Sequence, residues 1–109
     1  MYADYIHYRG SSEVKALKKE ELLGRVVLST AGRDSGKYYI VIDVIDDNYV
    51  LLTDGRLRPE SKPKKKKLRH LRFTDIIAEE IKKEILSGKR LNDSTIRSFL
   101  QLNDINKEV

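Results

Sequence analysis

The stretch between Gly24 and Gly55 most restricts the fold, because segments rich in β-branched residues alternate there with residues typical of turns. Its strongest strand covers residues 38–45, in which residues two apart share one face. Residues 46–48 follow as a turn, and residues 49–53 return as the hairpin partner. One face of the first strand is expected to carry Ile40, Ile42 and Val44. The pattern predicts a mainly β fold.

Two further strands are predicted on either side of this hairpin. Residues 24–30 form a short strand that Gly32 ends, and residues 66–71 form another. Pro59 and Pro63 precede the second of these strands, and proline cannot donate a hydrogen bond within a sheet. The segment around them is therefore expected to be a loop or, at most, a sheet edge.

The N-terminal part of the chain carries weaker signals. Residues 1–12 contain tyrosines at every third position but no core pattern, so we interpret them as a tail or a short packed extension. A short helix is expected over residues 12–23, with Ser12 as its N-cap and with Val14 and Leu17 on one side.

The C-terminal third changes to a helical period. Apolar residues recur every four positions in a first helix, which Thr74 or Asp75 begins and Gly88 ends. These apolar residues are Ile77, Ile81 and Ile85. A second helix follows the N-cap Asn92, with Leu91 and Ile96 as a hydrophobic staple. Its apolar stripe is Ile96, Phe99 and Leu100. The pair predicts a helical hairpin that packs on the β domain or on a partner.

Positive charge is concentrated in one segment. Residues 56–72 contain nine Lys or Arg residues and a single acid, Glu60, which gives a local net charge of +8. The whole chain has a net charge of +5, so the remainder is at −3. Such a patch attracts a polyanion, and each phosphate that it neutralises adds affinity by releasing counterions. The alternative is a solvated loop that only aids solubility.

Composition excludes several classes of protein. The 109 residues contain no cysteine, which excludes disulfides and thiolate metal sites. There is no run of about 18 apolar residues that could cross a membrane, and the first ten residues lack the apolar stretch of a signal peptide. We therefore expect a cytoplasmic protein without a membrane partner.

The most informative motif joins two strands through a pair of glycines. Gly32 and Gly36 flank the sequence Arg-Asp-Ser, and Lys37 follows the second glycine. Glycines at these positions permit positive φ angles and the close approach of another chain. The motif predicts a tight loop with an accessible backbone and cationic side chains.

The AGRDSGK loop, the IVIDVIDDNYVLLTDG hairpin, the basic run PKKKK and the following LRHL together resemble the KOW motif of ribosomal proteins and transcription-elongation factors. The resemblance is closest to the family of the eukaryotic and archaeal large-subunit ribosomal protein fourteen of e-type and its bacterial KOW-domain relatives. It covers about half of the chain, residues 22–73.

The resemblance implies a small SH3-like (KOW) β-barrel that binds structured RNA, ordinarily ribosomal RNA, without catalysis. The expected organisation is a tail over residues 1–12, a barrel over 13–73 with a basic loop at 56–67, and a helical hairpin over 74–109. Because the chain outside the basic segment is net acidic, a ribosomal constituent and a transient visitor both remain open. The expected RNA-binding residues are Arg33, Gly36, Lys37, Arg56, Arg58, Lys62, Lys64, Lys65, Lys66, Lys67, Arg69, His70 and Arg72.

Other chemistries have little support in the residues. The Gly32–Lys37 segment lacks the spacing of a phosphate-binding P-loop and has Tyr38 where that motif requires Ser or Thr. The aspartates around the hairpin, Asp43, Asp46, Asp47 and Asp54, are better explained as turn and surface residues than as metal ligands. His7 and His70 have no nucleophile or cysteine to complete a site. We expect no enzyme, metal or cofactor.

Two functions remain after these exclusions. The first is an RNA-binding module whose phosphate contacts come from residues 56–72 and whose glycine loop fixes orientation. The second is an adaptor that binds a protein through the barrel and through an apolar groove of the C-terminal helices. The tyrosines leave a related question open: Tyr39 is equally consistent with base stacking and with the core, whereas Tyr38 and Tyr49 favour the core.

Overall fold

The computed structural model describes residues 5–10 and 13–102 of the chain, and their side chains from residue 18 onward. These residues form seven strands, three α-helices and one 3-10 helix. In chain order they are β1 (Tyr5–Gly10), β2 (Glu13–Lys18), α1 (Lys19–Leu22), β3 (Arg25–Ser29), β4 (Tyr38–Val44), β5 (Tyr49–Thr53), β6 (Lys64–Lys67), η1 (Leu68–His70), β7 (Leu71–Ile77), α2 (Glu79–Leu86) and α3 (Asp93–Leu102).

Five of these strands form one antiparallel sheet in the order β6-β5-β4-β3-β7. Its two edge strands, β6 and β7, are consecutive in the chain and are joined only by the three residues of η1. The sheet must therefore curl until its edges approach each other. Hydrogen bonds from Leu68 N–H to Asn48 O (2.8 Å) and from Thr30 N–H to His70 O (2.9 Å) hold this connection at both ends. The predicted mainly β fold is confirmed.

The inside of the curled sheet holds the first apolar core. Its members are at most 3% exposed and come from α1, from the three central strands β3, β4 and β5, and from the η1–β7 connection. They are Leu22, Val27, Tyr39, Val41, Val50, Leu52, Leu68 and Leu71. Because Tyr39 is 3% exposed, it belongs to this core and presents no free face for stacking on a base.

A second core lies on the outer face of the sheet, beneath the C-terminal helices. Val26 and Ile40 of the sheet pack there with Ala78, which immediately precedes α2, and with residues of α2 and α3, namely Ile81, Ile96 and Leu100. Gly24 allows α2 to come close, since a Cβ atom there would lie 2.7 Å from the Lys82 Cβ. The two helices thus bury part of their apolar stripes, Ile81, Ile96 and Leu100, on the protein's own sheet.

A β-bulge in β4 changes which residues share a face. The register with β5 shifts between Val41 and Asp43, and Val44 consequently packs against the inner core together with Val41. Ile40 and Ile42 face the outer core. The expectation that Val44 shares their face was wrong, because the extra residue inverts the alternation.

The helix expected over residues 12–23 was also wrong in its larger part. Strand β2 occupies half of this segment and pairs antiparallel with β1, with Arg9 opposite Val14. Only the single turn of α1 is helical. Short amphipathic segments fit either period, and here strand pairing decides the outcome. Of the expected N-terminal tail, residues 1–4 and 11–12 lie outside the described residues, as does the expected cap Ser12.

The strand expected at residues 66–71 is divided into β6, η1 and β7, and β7 continues to Ile77. Helix α2 therefore begins at Glu79 and not at the expected Thr74 or Asp75, because the Thr74 hydroxyl donates to Val26 O (2.7 Å) and keeps the segment in the sheet. The predicted helix end is confirmed: Gly88 has φ +75°, and Lys89 N–H donates to Glu84 O at 3.0 Å.

The predicted start of the second helix is confirmed as well. The Asn92 side-chain oxygen accepts hydrogen bonds from Ser94 N–H (2.8 Å) and Thr95 N–H (3.3 Å). Leu91 and Ile96 both belong to the outer core. No helix among residues 5–10 and 13–102 has the length and apolar character needed to span a membrane.

Candidate nucleic-acid interface

The loop between β3 and β4, residues 30–37, has the tight shape that its glycines predict, and we call it the glycine loop. Gly36 N–H donates to Ser29 O (2.8 Å), and Ser29 N–H donates to Lys37 O (2.9 Å), which closes the base of the loop. Gly32 and Gly36 have φ angles of +84° and +90°. Arg33 and Lys37 extend from this fixed backbone into solvent.

Asp34, at the centre of the glycine loop, forms a buried ionic cluster. Its carboxylate accepts a hydrogen bond from the Ser29 hydroxyl (2.9 Å) and one from the Lys66 ammonium (2.9 Å). The Lys64 ammonium lies 2.9 Å from its second oxygen. Lys66 also donates to Ala31 O at 2.7 Å. Asp34 is 6% and Lys66 9% exposed, so the cluster ties the glycine loop to β6 away from bulk water.

The charge of Asp34 depends on these lysines. Burial alone would raise the pKa of its carboxyl, but hydrogen bonds with Lys66, Lys64 and Ser29 outweigh burial and hold the pKa well below its ordinary value of 3.8. Asp34 is therefore a carboxylate throughout the physiological range. A buried carboxylate that neutralises ammonium groups in this way is a structural tie and has no need of an external ligand.

Strand geometry divides the four lysines of β6 into two pairs. Lys66 and Lys64 pair with Val50 and Leu52 of the inner core, so their stems lie on the inner side and their ammonium groups reach Asp34. Lys65 and Lys67 are on the other side, where their ammonium groups lie 4.5 Å and 5.9 Å from the centre of the Tyr49 ring. The inner pair is thus directed to the glycine loop, and the outer pair lies on the opposite side of the strand.

The connection between β5 and β6, residues 54–63, we call the proline loop. Asp54 Oδ1 accepts hydrogen bonds from Arg56 N–H (2.8 Å) and Arg58 N–H (3.0 Å). Arg58 O in turn accepts from the Thr53 hydroxyl and from Asp54 N–H. The turn is thereby fixed, and the side chains of Arg56 and Arg58 are exposed at its tip.

Helix α3 supports the proline loop from behind. Arg97 Nη1 donates to Gly55 O (2.7 Å), and Asp93 Oδ1 accepts from Glu60 N–H (2.7 Å). Gly55, at φ +74°, packs so closely against Asp93 and Arg97 that a Cβ atom would collide with the helix backbone. The sequence identified neither Arg97 nor Asp93 as relevant to this region, because the contacts span 42 and 33 residues.

The glycine loop and the proline loop lie at the same end of the curled sheet. Both follow strands that run in the same direction, since β3 and β5 each pair antiparallel with β4. Tyr39 lies near both loops: its burial, together with the nearby carboxylates of Asp34 and Asp54, raises the pKa of its hydroxyl to about 12. The topology thus brings two cationic loops together that are separated in the sequence.

The remaining basic residues flank these loops. His70 is bonded through its carbonyl to Thr30, at the start of the glycine loop, and Arg69 beside it is exposed. Arg72 is exposed on β7, opposite Leu28. The predicted residues that are exposed are Arg33, Gly36, Lys37, Arg56, Arg58, Lys62, Lys65, Arg69 and Arg72. Lys64, Lys67 and His70 are partly exposed, whereas Lys66 is buried.

The aspartates around the hairpin have structural roles. Asp46 Oδ1 accepts hydrogen bonds from Asn48 N–H (2.7 Å) and Tyr49 N–H (2.9 Å), and Asp54 caps the turn of the proline loop as described above. Across the described ranges, no three His, Asp or Glu residues come together in a way that could hold a metal ion. The interpretation of Asp46 and Asp54 as turn residues is confirmed.

No protein-family model matches the chain, but sequence comparison finds several relatives that are large ribosomal subunit proteins. The large ribosomal subunit protein eL14 of Desulfurococcus amylolyticus is 42% identical over 53 residues, which are 49% of this chain and 55% of that protein. The eL14 of Pyrobaculum arsenaticum is 38% identical over 53 residues, covering 49% and 52%. The eL14 of Sulfolobus acidocaldarius is 28% identical over 89 residues, covering 79% and 85%.

The strongest of these matches are partial. The chain spans about half the length of the first two relatives, and the longer match to the third has lower identity. All three proteins are named large ribosomal subunit protein eL14. This is the family that the glycine loop and the basic run resemble. The chain is thus similar in sequence to the archaeal large ribosomal subunit protein eL14.

Proposed function

We propose that this protein binds structured RNA of the large ribosomal subunit and serves there as a non-catalytic, ribosomal-protein-like component or associate. Its contact surface consists of the exposed cations on the glycine loop, the proline loop, the outer side of β6 and the η1–β7 segment. The name of its relatives, large ribosomal subunit protein eL14, supports this assignment. We further propose that the curled sheet is a barrel of the KOW type.

The observation that carries the proposal is the placement of two fixed cationic loops at one end of the barrel. Arg33 and Lys37 extend from a loop that Asp34 ties to β6, and Arg56 and Arg58 extend from a loop that α3 supports. Cations on a fixed backbone lose little conformational entropy when they bind, so more of the phosphate interaction appears as affinity. This arrangement suits a rigid, highly charged ligand.

Within this proposal the lysine run contributes in two ways. Lys65 and Lys67 face outward and contact phosphates, whereas Lys66 positions the glycine loop through Asp34. Lysine acts on a phosphate as a point charge and does not read base edges. We therefore expect the phosphate contacts to recognise the shape of folded RNA more than its sequence.

Equilibrium binding to a fragment of large-subunit ribosomal RNA tests the proposal. Lys37→Ala should weaken binding and lower the slope of log K against log salt by roughly 0.7 to 0.9, the change expected for one lost phosphate contact. Lys83→Ala is the matched control, because Lys83 is exposed on α2, which packs beside Gly24 at the opposite end of β3.

The result that would overturn the assignment is equally specific. If the Lys37 and Lys83 variants bound the RNA fragment as tightly as the original protein, with the same salt slope, the glycine loop would not be the contact surface. If the original protein showed no salt-dependent binding to ribosomal RNA at all, the proposed function itself would be wrong.

A further inference from the structure

Leu57 occupies an unusual position at the tip of the proline loop. Its side chain is 76% exposed, and it lies between the exposed residues Arg56 and Arg58. Isolated exposed leucines are common on protein surfaces and need no explanation by themselves. Leu57 differs because its neighbours on both sides carry the charges that attract a polyanion.

The exposure of Leu57 does not result from a loose loop. The backbone on either side is fixed by Asp54, whose carboxylate accepts the N–H groups of Arg56 and Arg58. Behind it, Arg97 of α3 holds Gly55. The fold therefore keeps an apolar side chain in solvent at a defined place, and little entropy would be lost when this side chain contacts a ligand.

The charges around Leu57 favour a polyanion, and not an apolar surface, as the ligand of this loop. Of the acids in the proline loop, Asp54 is occupied by backbone amides, and Glu60 lies 3.8 Å from Arg90. Arg56, Arg58 and Lys62 are exposed around the tip. An apolar side chain beside phosphate-binding groups can pack against a base that has left its stack, and a regular duplex offers no such base.

We propose that Leu57 packs against an unstacked nucleotide, at a bulge, loop or helix end of the RNA whose phosphates Arg56 and Arg58 contact. This inference rests on the proposed RNA-binding function and deepens it by naming the class of RNA. Phosphate contacts alone hold any RNA of suitable shape, whereas the leucine adds affinity only where an unstacked base is accessible. The protein therefore prefers interrupted RNA helices to continuous ones.

The test compares Leu57→Ser with the original protein on two RNAs of equal length, a continuous hairpin duplex and the same hairpin with a bulge. The variant should bind the bulged RNA about fivefold to tenfold more weakly, which corresponds to losing part of the burial of one leucine side chain. Its affinity for the continuous duplex should not change. Because serine alters no charge, the salt slope should also stay the same for both RNAs.

Two further variants make the test specific. Leu57→Met keeps an apolar side chain and should retain the preference for the bulged RNA. Leu86→Ser removes another exposed leucine, 58% exposed at the end of α2, and should affect neither RNA. Thermal melting of all variants should be unchanged, since neither leucine contributes to a core.

Three results would overturn the inference. The first is an equal loss of affinity of Leu57→Ser for both RNAs, and the second is no loss of affinity for either RNA. The third is that Leu57→Ser weakens binding only to nuclease-treated ribosomal proteins, which would make a protein the partner of Leu57. None of these depends on the phosphate contacts. If Arg56→Ala with Arg58→Ala left RNA binding unchanged, the proposed function would fail at this loop independently of Leu57.

Discussion

The Lys66 ammonium and the Asp34 carboxylate lie 2.9 Å apart and join the centre of the glycine loop to a strand 32 residues further along the chain. Both groups are almost completely buried, and Lys66 donates a second hydrogen bond to Ala31 O. The loop that we propose to approach RNA is therefore held by an ion pair that is largely shielded from solvent. This pair separates lysines that stabilise the fold from lysines that are available to a ligand.

Replacement of Asp34 by Asn should destabilise the protein at neutral pH. Lys66 would keep its charge in a buried position without a counter-ion, and breaking a buried pair in this way costs about 3 kcal/mol. Chemical denaturation at pH 7 measures the loss in the free energy of unfolding. Asp47→Asn, in the exposed turn between β4 and β5, is the control and should change it by less than about 0.5 kcal/mol.

The same substitution should also change how stability depends on pH. Because the pKa of Asp34 is lowered in the folded protein, its carboxylate stabilises the fold above the ordinary pKa of 3.8, and this contribution is lost as the pH falls below that value. The free energy of unfolding, measured between pH 2 and pH 7, should therefore fall less steeply at the acid end for Asp34→Asn than for the original protein. Parallel curves for variant and original would contradict the role given to Asp34.

The two sides of β6 should respond differently to loss of charge. Lys66→Met removes the partner of a buried carboxylate and should lower the free energy of unfolding by about 2 to 3 kcal/mol. Lys65→Met should leave stability within about 0.5 kcal/mol, because its ammonium lies on the outer side over Tyr49. RNA affinity should fall for Lys65→Met even though the fold is intact. Both variants should be measured by chemical denaturation and by RNA binding. A loss of stability for Lys65→Met, or an unchanged stability for Lys66→Met, would contradict these roles.

Two glycine substitutions should separate conformational strain from steric collision. Gly36→Ala meets no atom within 4 Å, so only its φ of +90° opposes alanine, at a cost of about 1 to 2 kcal/mol. Gly55→Ala carries the same kind of strain and also collides with Asp93 and Arg97 of α3. It should destabilise the protein clearly more than Gly36→Ala does. If both variants lost the same free energy of unfolding in denaturant, α3 would be able to move away from the added methyl group without destabilising the fold.

Salt should control association with the ribosome. Under the proposed function the protein sediments with large subunits at low salt, and the double substitution Arg33→Ala with Lys37→Ala should release it at a lower salt concentration. Sucrose-gradient fractionation over a range of salt concentrations measures the difference. If the double variant and the original protein dissociated at the same concentration, the glycine loop would not contribute to the contact. The salt concentration at which the original protein dissociates distinguishes a stable constituent from a transient visitor.

Features with a local cause could be predicted from the sequence. Asn92 caps α3 and Gly88 ends α2 because each acts on backbone groups only a few residues away. The glycine loop was recognisable for the same reason, since Gly32 and Gly36 impose their φ angles on adjacent residues. The pairing of β4 with β5 followed from their period and from the short turn between them.

Features that depend on distant partners could not be predicted. Nothing near Asp34 in the sequence indicates that Lys66 will neutralise it, and nothing near Gly55 indicates that Arg97 will hold it. The bulge that turns Val44 inward arises from the pairing with β5 and not from a residue in β4 that would mark it. For the candidate site, the sequence identified the basic segments, and only the fold shows which of their side chains are available.

The alternation along β6 has a consequence for how its position is determined. A strand built from four identical residues presents the same side chains to either face after slipping by one position, so the contact with Asp34 could form again with a neighbouring lysine. The ion pair therefore cannot select the alignment of β6. That selection falls to the residues that bracket the run: Pro63, which cannot join the ladder, and Leu68, which must reach the inner core. The alignment of β6 in the sheet is thus determined by Pro63 and Leu68, and not by the four lysines between them.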